Sequence, residues 1–186
     1  MTKCKICRQP FLRRNISHKV CSPDCAIIFA QQEKEKNLLK KARIERKKDK
    51  EKKIALKTRS DWVKDAQVAF NSWVRARDAG KPCICCGLDL GFYEVGGAFD
   101  AGHYRSVGSA PHLRFNEDNV HGQRKQCNRY GAGRAIDYRI GLIKRIGVER
   151  VEALESNNDS FKPTIEDLKE IIKKYKEKKN ELLKSQ

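Results

Sequence analysis

The chain lacks any long apolar run. Its longest, Ala26-Ile27-Ile28-Phe29-Ala30, falls far short of the ~20 residues that span a bilayer, and no membrane partner is expected. The first residues, Met1-Thr2-Lys3-Cys4, have no apolar core of a signal peptide. This predicts a cytoplasmic protein, in a compartment where thiols stay reduced. Acidic residues are in deficit: 24 Asp and Glu face 41 Lys and Arg, a formal net charge of +17. Such a surplus points to a polyanionic partner, of which nucleic acid is the commonest. With 39% apolar and 35% charged residues, one large core is not expected. A chain of 186 residues then holds one ordinary domain or a few small ones.

Cysteine, by contrast, is plentiful. Eight cysteines in a reducing compartment read as metal ligands before disulfides. Cys4-x2-Cys7 and Cys21-x3-Cys25 are two pairs separated by a short loop, the spacing of a tetrahedral thiolate cage for zinc. His18 competes with Cys21, but the paired spacing favours the cysteine. Residues 1–30 are too few to build a core, so the metal would supply the folding free energy of this module. Residues 31–59 follow as a basic connector. Between Lys34 and Lys57, twelve Lys or Arg face four Asp or Glu, with no proline or glycine. Pairs such as Lys47/Glu51 at helical spacing predict a long exposed helix. It reads as a solvated connector that also makes weak DNA contacts without reading sequence.

Residues 60–147 carry the densest pattern. Ser60 is the expected N-cap of a helix, on which Trp62, Ala66, Ala69, Phe70, Trp73 and Val74 form one apolar face. Gly80 and Pro82 end it, and Cys83-Ile84-Cys85-Cys86-Gly87 makes a cysteine knuckle. A glycine-punctuated hairpin is expected next, with a strand around Ala98–Arg105 paired to His112–Phe115. A helix is expected from the turn at Asn116–Asn119 through Tyr130. Ile136–Ile146 reads as a basic amphipathic helix ended by Gly147. In residues 148–186 a short helix, Val148–Glu155, precedes a turn at Asn157-Asn158-Asp159 and a last helix. Thr164 is its N-cap, with Asp167 at the capping-box position.

Within this frame, Asp100-Ala101-Gly102-His103, then Asn119, then Cys127-Asn128, place an imidazole at a strand end and amides on the turn and helix that follow. Hydrolysis of a phosphodiester needs a group to deprotonate water, which a neutral histidine supplies. It also needs a hard cation to neutralise the leaving oxygen, held by carboxylate and amide oxygens. The layout resembles an HNH (ββα-metal) nuclease site. His103 is assigned as general base, and Asp100 and Asn128 as ligands of a catalytic Mg²⁺ or Mn²⁺. Asn119 is assigned to bonding backbone across the loop so that His103 is held. Arg105, Arg114, Arg124 and Arg129 are the candidate phosphate clamps. The fold class expected is α+β: an N-terminal zinc-binding module, a long charged helix, a central ββα-metal unit and C-terminal helices.

Ala101-Gly102-His103-Tyr104-Arg105-Ser106, Leu113-Arg114-Phe115-Asn116, Asn119-Val120-His121, Gln126-Cys127-Asn128, Tyr138-Arg139 and Arg145-Ile146-Gly147 together resemble the NinG/Rap family of lambdoid phage recombination proteins. The resemblance implies a structure-selective endonuclease acting on branched DNA such as Holliday junctions and D-loops, with phage recombination proteins as further partners. Two coordinated cuts would suit a homodimer. The alternatives are a non-catalytic zinc module that binds nucleic acid and an adaptor for recombination proteins. Two departures stand out. In HNH sites with a structural zinc a second CxxC precedes the asparagine; here Arg124 stands in place of its first cysteine. Cys83, Cys86 and Cys127 then offer three thiolates, and the fourth ligand is Cys85, or His121, or the second zinc is absent. In addition, many such sites carry an acid directly before the histidine, where this chain has Gly102. Asp100 and His103 would lie on opposite strand faces unless a bulge at Gly102 brought them together.

Overall fold

The computed structural model describes residues 2–91, 99–131 and 134–184. The chain divides into two units, Met1–Lys57 and Thr58–Gln186.

In the first unit, β1 (Thr2–Lys3) and β2 (Pro10–Phe11) pair antiparallel around the first cysteine pair. The turn between them is closed by backbone bonds from Cys4 N to Gln9 O (2.9 Å) and from Arg8 N to Cys4 O (3.1 Å). Arg8 holds φ of 61°, a left-handed conformation that usually falls to glycine. Helix α1 (Pro23–Ala55) starts inside the cysteine module, capped by the Ser22 side chain, which accepts from Cys25 N at 3.3 Å. It runs 33 residues through the whole charged stretch, with Cys25 its buried residue. No apolar stripe holds it, and ion pairs such as Glu33–Lys36 and Lys47–Glu51 lie along its exposed surface.

The second unit is built around a hairpin. Strand β3 (Phe99–His103) pairs antiparallel with β4 (Val120–Arg124), Asp100 opposite Gln123 and His103 opposite Val120. One face receives α2 (Arg59–Asp78) and α5 (Ile165–Lys184). Phe70 meets the rings of Tyr175 and Phe115 edge-on, at 4.7 and 5.8 Å between centroids, and Val120 packs among them. The other face receives the knuckle and α3 (Ala135–Ile146), with α4 (Val148–Ser156) behind. There Ile84, Leu113, Tyr138, Leu142, Val151 and Leu154 form a second cluster. The Tyr138 hydroxyl donates to Gly102 O (2.8 Å) and accepts from His121 N (3.1 Å), tying α3 to both strands.

Three expectations need correcting. The partner of β3 is Val120–Arg124, not His112–Phe115. Pro111–Leu113 is a single 3-10 turn, because Pro111 has no amide to give a ladder. The helix expected from Asn116–Asn119 to Tyr130 is therefore a strand followed by one wide helical turn, Gln126–Tyr130, closed by Gly131 N to Gln126 O. Val120, His121, Gly122 and Gln123 are all buried, so no alternation of polar and apolar residues marks the strand. Finally, the cap of α2 is Thr58, not Ser60. Thr58 and Asp61 form a reciprocal capping box, Asp61 N to Thr58 Oγ1 at 3.3 Å and Thr58 N to Asp61 Oδ2 at 3.0 Å. The expected capping pair Thr164 and Asp167 forms in the same way. Ala98, at the start of the expected strand, lies outside the described residues.

Two contacts hold the halves of this unit together. The Asp78 carboxylate, at the end of α2, is fully buried. It accepts from Arg77, Lys81 and the Gly122 amide (2.8 Å). Burial alone would raise its pKa, but the Arg77 guanidinium and the Gly122 amide hold it down at about 2. On α3, a Cβ added to Gly141 would lie 1.8 Å from the carbonyl oxygen of Ile84, so only glycine lets the helix approach the knuckle.

Asp78→Ala is expected to cost about 3–5 kcal/mol in denaturant unfolding, since it strands a buried cation and an amide. The stabilisation from Asp78 is complete above the unfolded carboxylate pKa of about 3.9 and is lost as pH falls towards 2. A stability difference between wild type and Asp78→Ala that stays constant from pH 6 to pH 2 would contradict this. Gly141→Ala should cost about 1–3 kcal/mol through overpacking, read as a lowered melting temperature. An unchanged melting temperature would show that α3 can shift freely.

Candidate functional site

The cysteines form two clusters. In the first unit, Cys4, Cys7, Cys21 and Cys25 bring their sulfurs within 4.8 Å of one another. Cys7 and Cys21 are 3.3 Å apart, and Cys21 and Cys25 are 3.8 Å apart. Zn–S bonds of about 2.3 Å set tetrahedral sulfurs about 3.8 Å apart, so this cage fits a zinc ion. The turn between β1 and β2 delivers Cys4 and Cys7, and the segment entering α1 delivers Cys21 and Cys25. In the second unit Cys83, Cys86 and Cys127 cluster in the same way. Cys127 comes from the wide helical turn, and the Arg124 amide donates to Cys83 Sγ at 3.3 Å. Both clusters could hold zinc, and all eight cysteines are free thiols.

Asn119 is buried, and its side chain bonds backbone on both sides of the loop. Its Oδ1 accepts from Arg105 N (2.8 Å), and its Nδ2 donates to Arg105 O (3.0 Å) and Leu113 O (3.2 Å). One amide thus joins the end of β3, the 3-10 turn and the start of β4. His103 lies inside this clamp. Its Nε2 donates to the Arg114 carbonyl at 3.1 Å, which leaves Nδ1 as the basic nitrogen. Burial keeps the ring neutral, pushing its pKa below the ordinary histidine value, and the Arg114 cation adds to this.

Asp100 and Asn128 are brought together as well. Asn128 Nδ2 donates to Asp100 Oδ2 at 3.1 Å. Arg129 binds both oxygens of the same carboxylate, at 2.9 and 3.0 Å. Burial works against ionisation of Asp100, but Arg129 and Asn128 outweigh it and hold its pKa low. The hairpin register is continuous from Phe99 to His103, so the bulge at Gly102 is absent. Asp100 and His103 leave opposite faces of β3, and the structure does not bring them to one point. The acid position before the histidine is closed for a local reason. A Cβ on Gly102 would lie 2.0 Å from Gln123 Oε1, so the Gln123 side chain occupies the space an acid would need.

The four arginines have separate fates. Arg105 donates to the carbonyls of Leu154, Glu155 and Asn157 at the end of α4, which makes it a structural brace. Arg114 reaches Gln67 on α2, and Arg129 holds Asp100. Arg124 lies half-exposed beside the second cysteine cluster. His112 donates to Asn157 O at 2.9 Å. His121 is buried with Nδ1 lacking a hydrogen-bond partner. Burial, then the nearby Arg77 charge, pushes its pKa down to about 3. Asp78, Gln123 and the roles of Arg105 and Tyr138 carry no motif or spacing that would have pointed to them.

The family model described as Bacteriophage Lambda NinG protein matches residues 1–185. Protein ninG of Escherichia phage lambda is 40% identical over 187 aligned positions, covering 95% of this chain and 89% of that protein. Protein ninG of Escherichia phage 933W is 39% identical, covering 97% and 92%, and that of Salmonella phage P22 is 38% identical, covering 95% and 90%. No solved structure matches. With nearly its whole length matched by the family model and by these phage proteins, the chain belongs to the NinG family of bacteriophage proteins.

Proposed function

We propose that the chain is a structure-selective endonuclease that cuts branched DNA, such as Holliday junctions and D-loops, in phage recombination. The observation that carries this reading is the Asn119 clamp around His103. A buried amide with three backbone bonds fixes the loop, and the loop's Arg114 carbonyl fixes the imidazole as a neutral base. A partly buried histidine with no chemical duty has no need of such support. A net charge of +17 suits a phosphate backbone.

His103 Nδ1 takes a proton from the attacking water, while the Arg114 carbonyl, on the loop that Asn119 ties down, keeps the ring from turning. A divalent magnesium or manganese ion, when bound, supplies neutralisation of the leaving oxygen. Asp100 and Asn128 would be the hard donors for it, on the face of β3 opposite His103 and with Arg129 competing for the carboxylate. That competition, and the opposite faces of Asp100 and His103, favour a second reading: a zinc-containing DNA-binding or recombination adaptor module without catalysis.

Nicking of a synthetic four-way junction with Mg²⁺ or Mn²⁺ separates the two. His103→Ala should cut about 10²–10⁴-fold more slowly and bind the junction nearly as well. Because burial lowers the His103 pKa, the acid limb of the rate profile should lie below about pH 6.5. Equal rates for variant and wild type would remove His103 as the base, and no cutting by wild type would leave the binding module.

Neutralising the lysines between Lys34 and Lys57 should weaken binding to branched and linear DNA alike, with a shallower dependence of log affinity on log salt. Helix α1 displays these charges on an exposed surface, with Asn37 as the single amide side chain in the run to read a base edge. An unchanged salt slope would make α1 a solvated connector only.

A further inference from the structure

Among the described residues, the central cysteine cluster is one donor short. Structural zinc sites are four-coordinate, and three sulfurs, from Cys83, Cys86 and Cys127, converge here. The N-terminal cage shows what is missing, because both cages are built on the same turn. Cys83 N bonds Leu88 O (2.7 Å) and Gly87 N bonds Cys83 O (3.0 Å), matching the bonds of Cys4 with Gln9 and Arg8. Pro82 bridges Asp89 as Lys3 pairs with Pro10. Cys127 lies in a helical turn, as Cys25 lies in the first turn of α1. The fourth thiol of the N-terminal cage, Cys21, precedes Cys25 by four residues. Four residues before Cys127 stands Gln123.

Gln123 does not leave that place without sulfur. Its Nε2 lies 2.8 Å from Cys85 Sγ. Cys85 adjoins the Cys83 thiol and packs against the group formed by Cys83, Leu90, Phe99 and Cys127. The knuckle of the N-terminal cage has Ile6 at the matching position. The competing donors are placed less well. Among the described residues His121 Nδ1 has no hydrogen-bond partner, but its ring faces Tyr138 at 6.5 Å. Neither its nitrogens nor Cys85 Sγ lies within the three-sulfur group as it stands, and of the two only Cys85 adjoins one of those sulfurs, that of Cys83. Arg124, where a CxxC spacing instead of the CxxxC of the N-terminal cage would place a cysteine, donates its amide to Cys83 Sγ.

We propose that Cys85 is the fourth ligand of the central cage, so that Cys83, Cys85, Cys86 and Cys127 hold one zinc-class ion. The thiol that β4 lacks is supplied from inside the knuckle. A turn of the Cys85 side chain towards Cys86 and Cys127 closes the cage. N–H donors from Gln123 and Arg124 then support the charge of four thiolates.

The test is metal binding by the full-length chain, with Co²⁺ as the optical probe and Zn²⁺ affinity measured by chelator competition. Wild type should bind two ions per chain with the absorption of all-thiolate sites. Cys85→Ala should weaken one of the two sites by at least about 100-fold and leave the other unchanged. Adding Gln123→Cys to Cys85→Ala should restore it, by returning a fourth thiol to the position that Cys21 holds in the N-terminal cage. His121→Ala should bind both ions as wild type does. The proposal is overturned if wild type binds a single ion, if Cys85→Ala keeps both sites at full affinity, or if its loss is not repaired by Gln123→Cys. The last outcome would make Cys85 a packing residue. None of these readouts depends on DNA cleavage.

Discussion

A hairpin of two five-residue strands is marginal in water, and the second unit is arranged to bury both of its faces. The aromatic group of Phe70, Trp73 and Tyr175 covers one face, and the knuckle with α3 covers the other. Burial on two sides leaves little room for side chains, which accounts for the two strand glycines. Gly102 gives space to the Gln123 side chain, and Gly122 lies against Leu90, Asp78 and Phe99. The hairpin is therefore a backbone plate between two helical layers, with His103 and Asn119 at one end of it.

Polar groups inside such a sandwich must be satisfied by partners from other segments. Asn119, Asp78 and Tyr138 each do this with more than one segment at once. Asn119 closes the long loop, Asp78 fastens α2 to β4, and the Tyr138 hydroxyl bonds both strands. Apolar packing gives these layers affinity, but it would tolerate sliding. Hydrogen bonds with fixed partners give them register. In this way Arg105, which looks like a phosphate ligand in isolation, is used to hold the carbonyl end of α4.

Much of this was legible beforehand, and the exceptions have common causes. The cysteine pairs, the charged helix, the apolar face of α2 and the Thr164 cap are local patterns, each contained within a few turns of chain. Asn119 was legible because its neighbours place it at a turn beside a strand end. Strand β4 was not, since Val120 to Gln123 are buried on both faces and show no period. The opposite placement of Asp100 and His103 follows from strand geometry alone, whereas the capture of Asp100 by Arg129 does not. Asp78 is one acid among many in a charged chain, and only the approach of β4 singles it out.

The two cysteine clusters differ in their exposure to solvent. Cys7 and Cys21 lie open at the surface, while Cys83 and Cys127 are buried under the hairpin and the helical turn. A chelator or oxidant meets Cys7 and Cys21 directly, whereas in the central cluster it meets the half-buried Cys86 with Cys85 beside it. Ligand exchange would therefore be faster at the first cluster than at the second. The first unit has little apolar core beyond Cys4, Val20 and Cys25 and their neighbours, so with zinc in its cage its order would follow the free metal concentration. The helical layers of the second unit pack through apolar clusters of their own. With a metal in both clusters, the same ligand chemistry would govern folding at one end of the chain and add only local support in the middle.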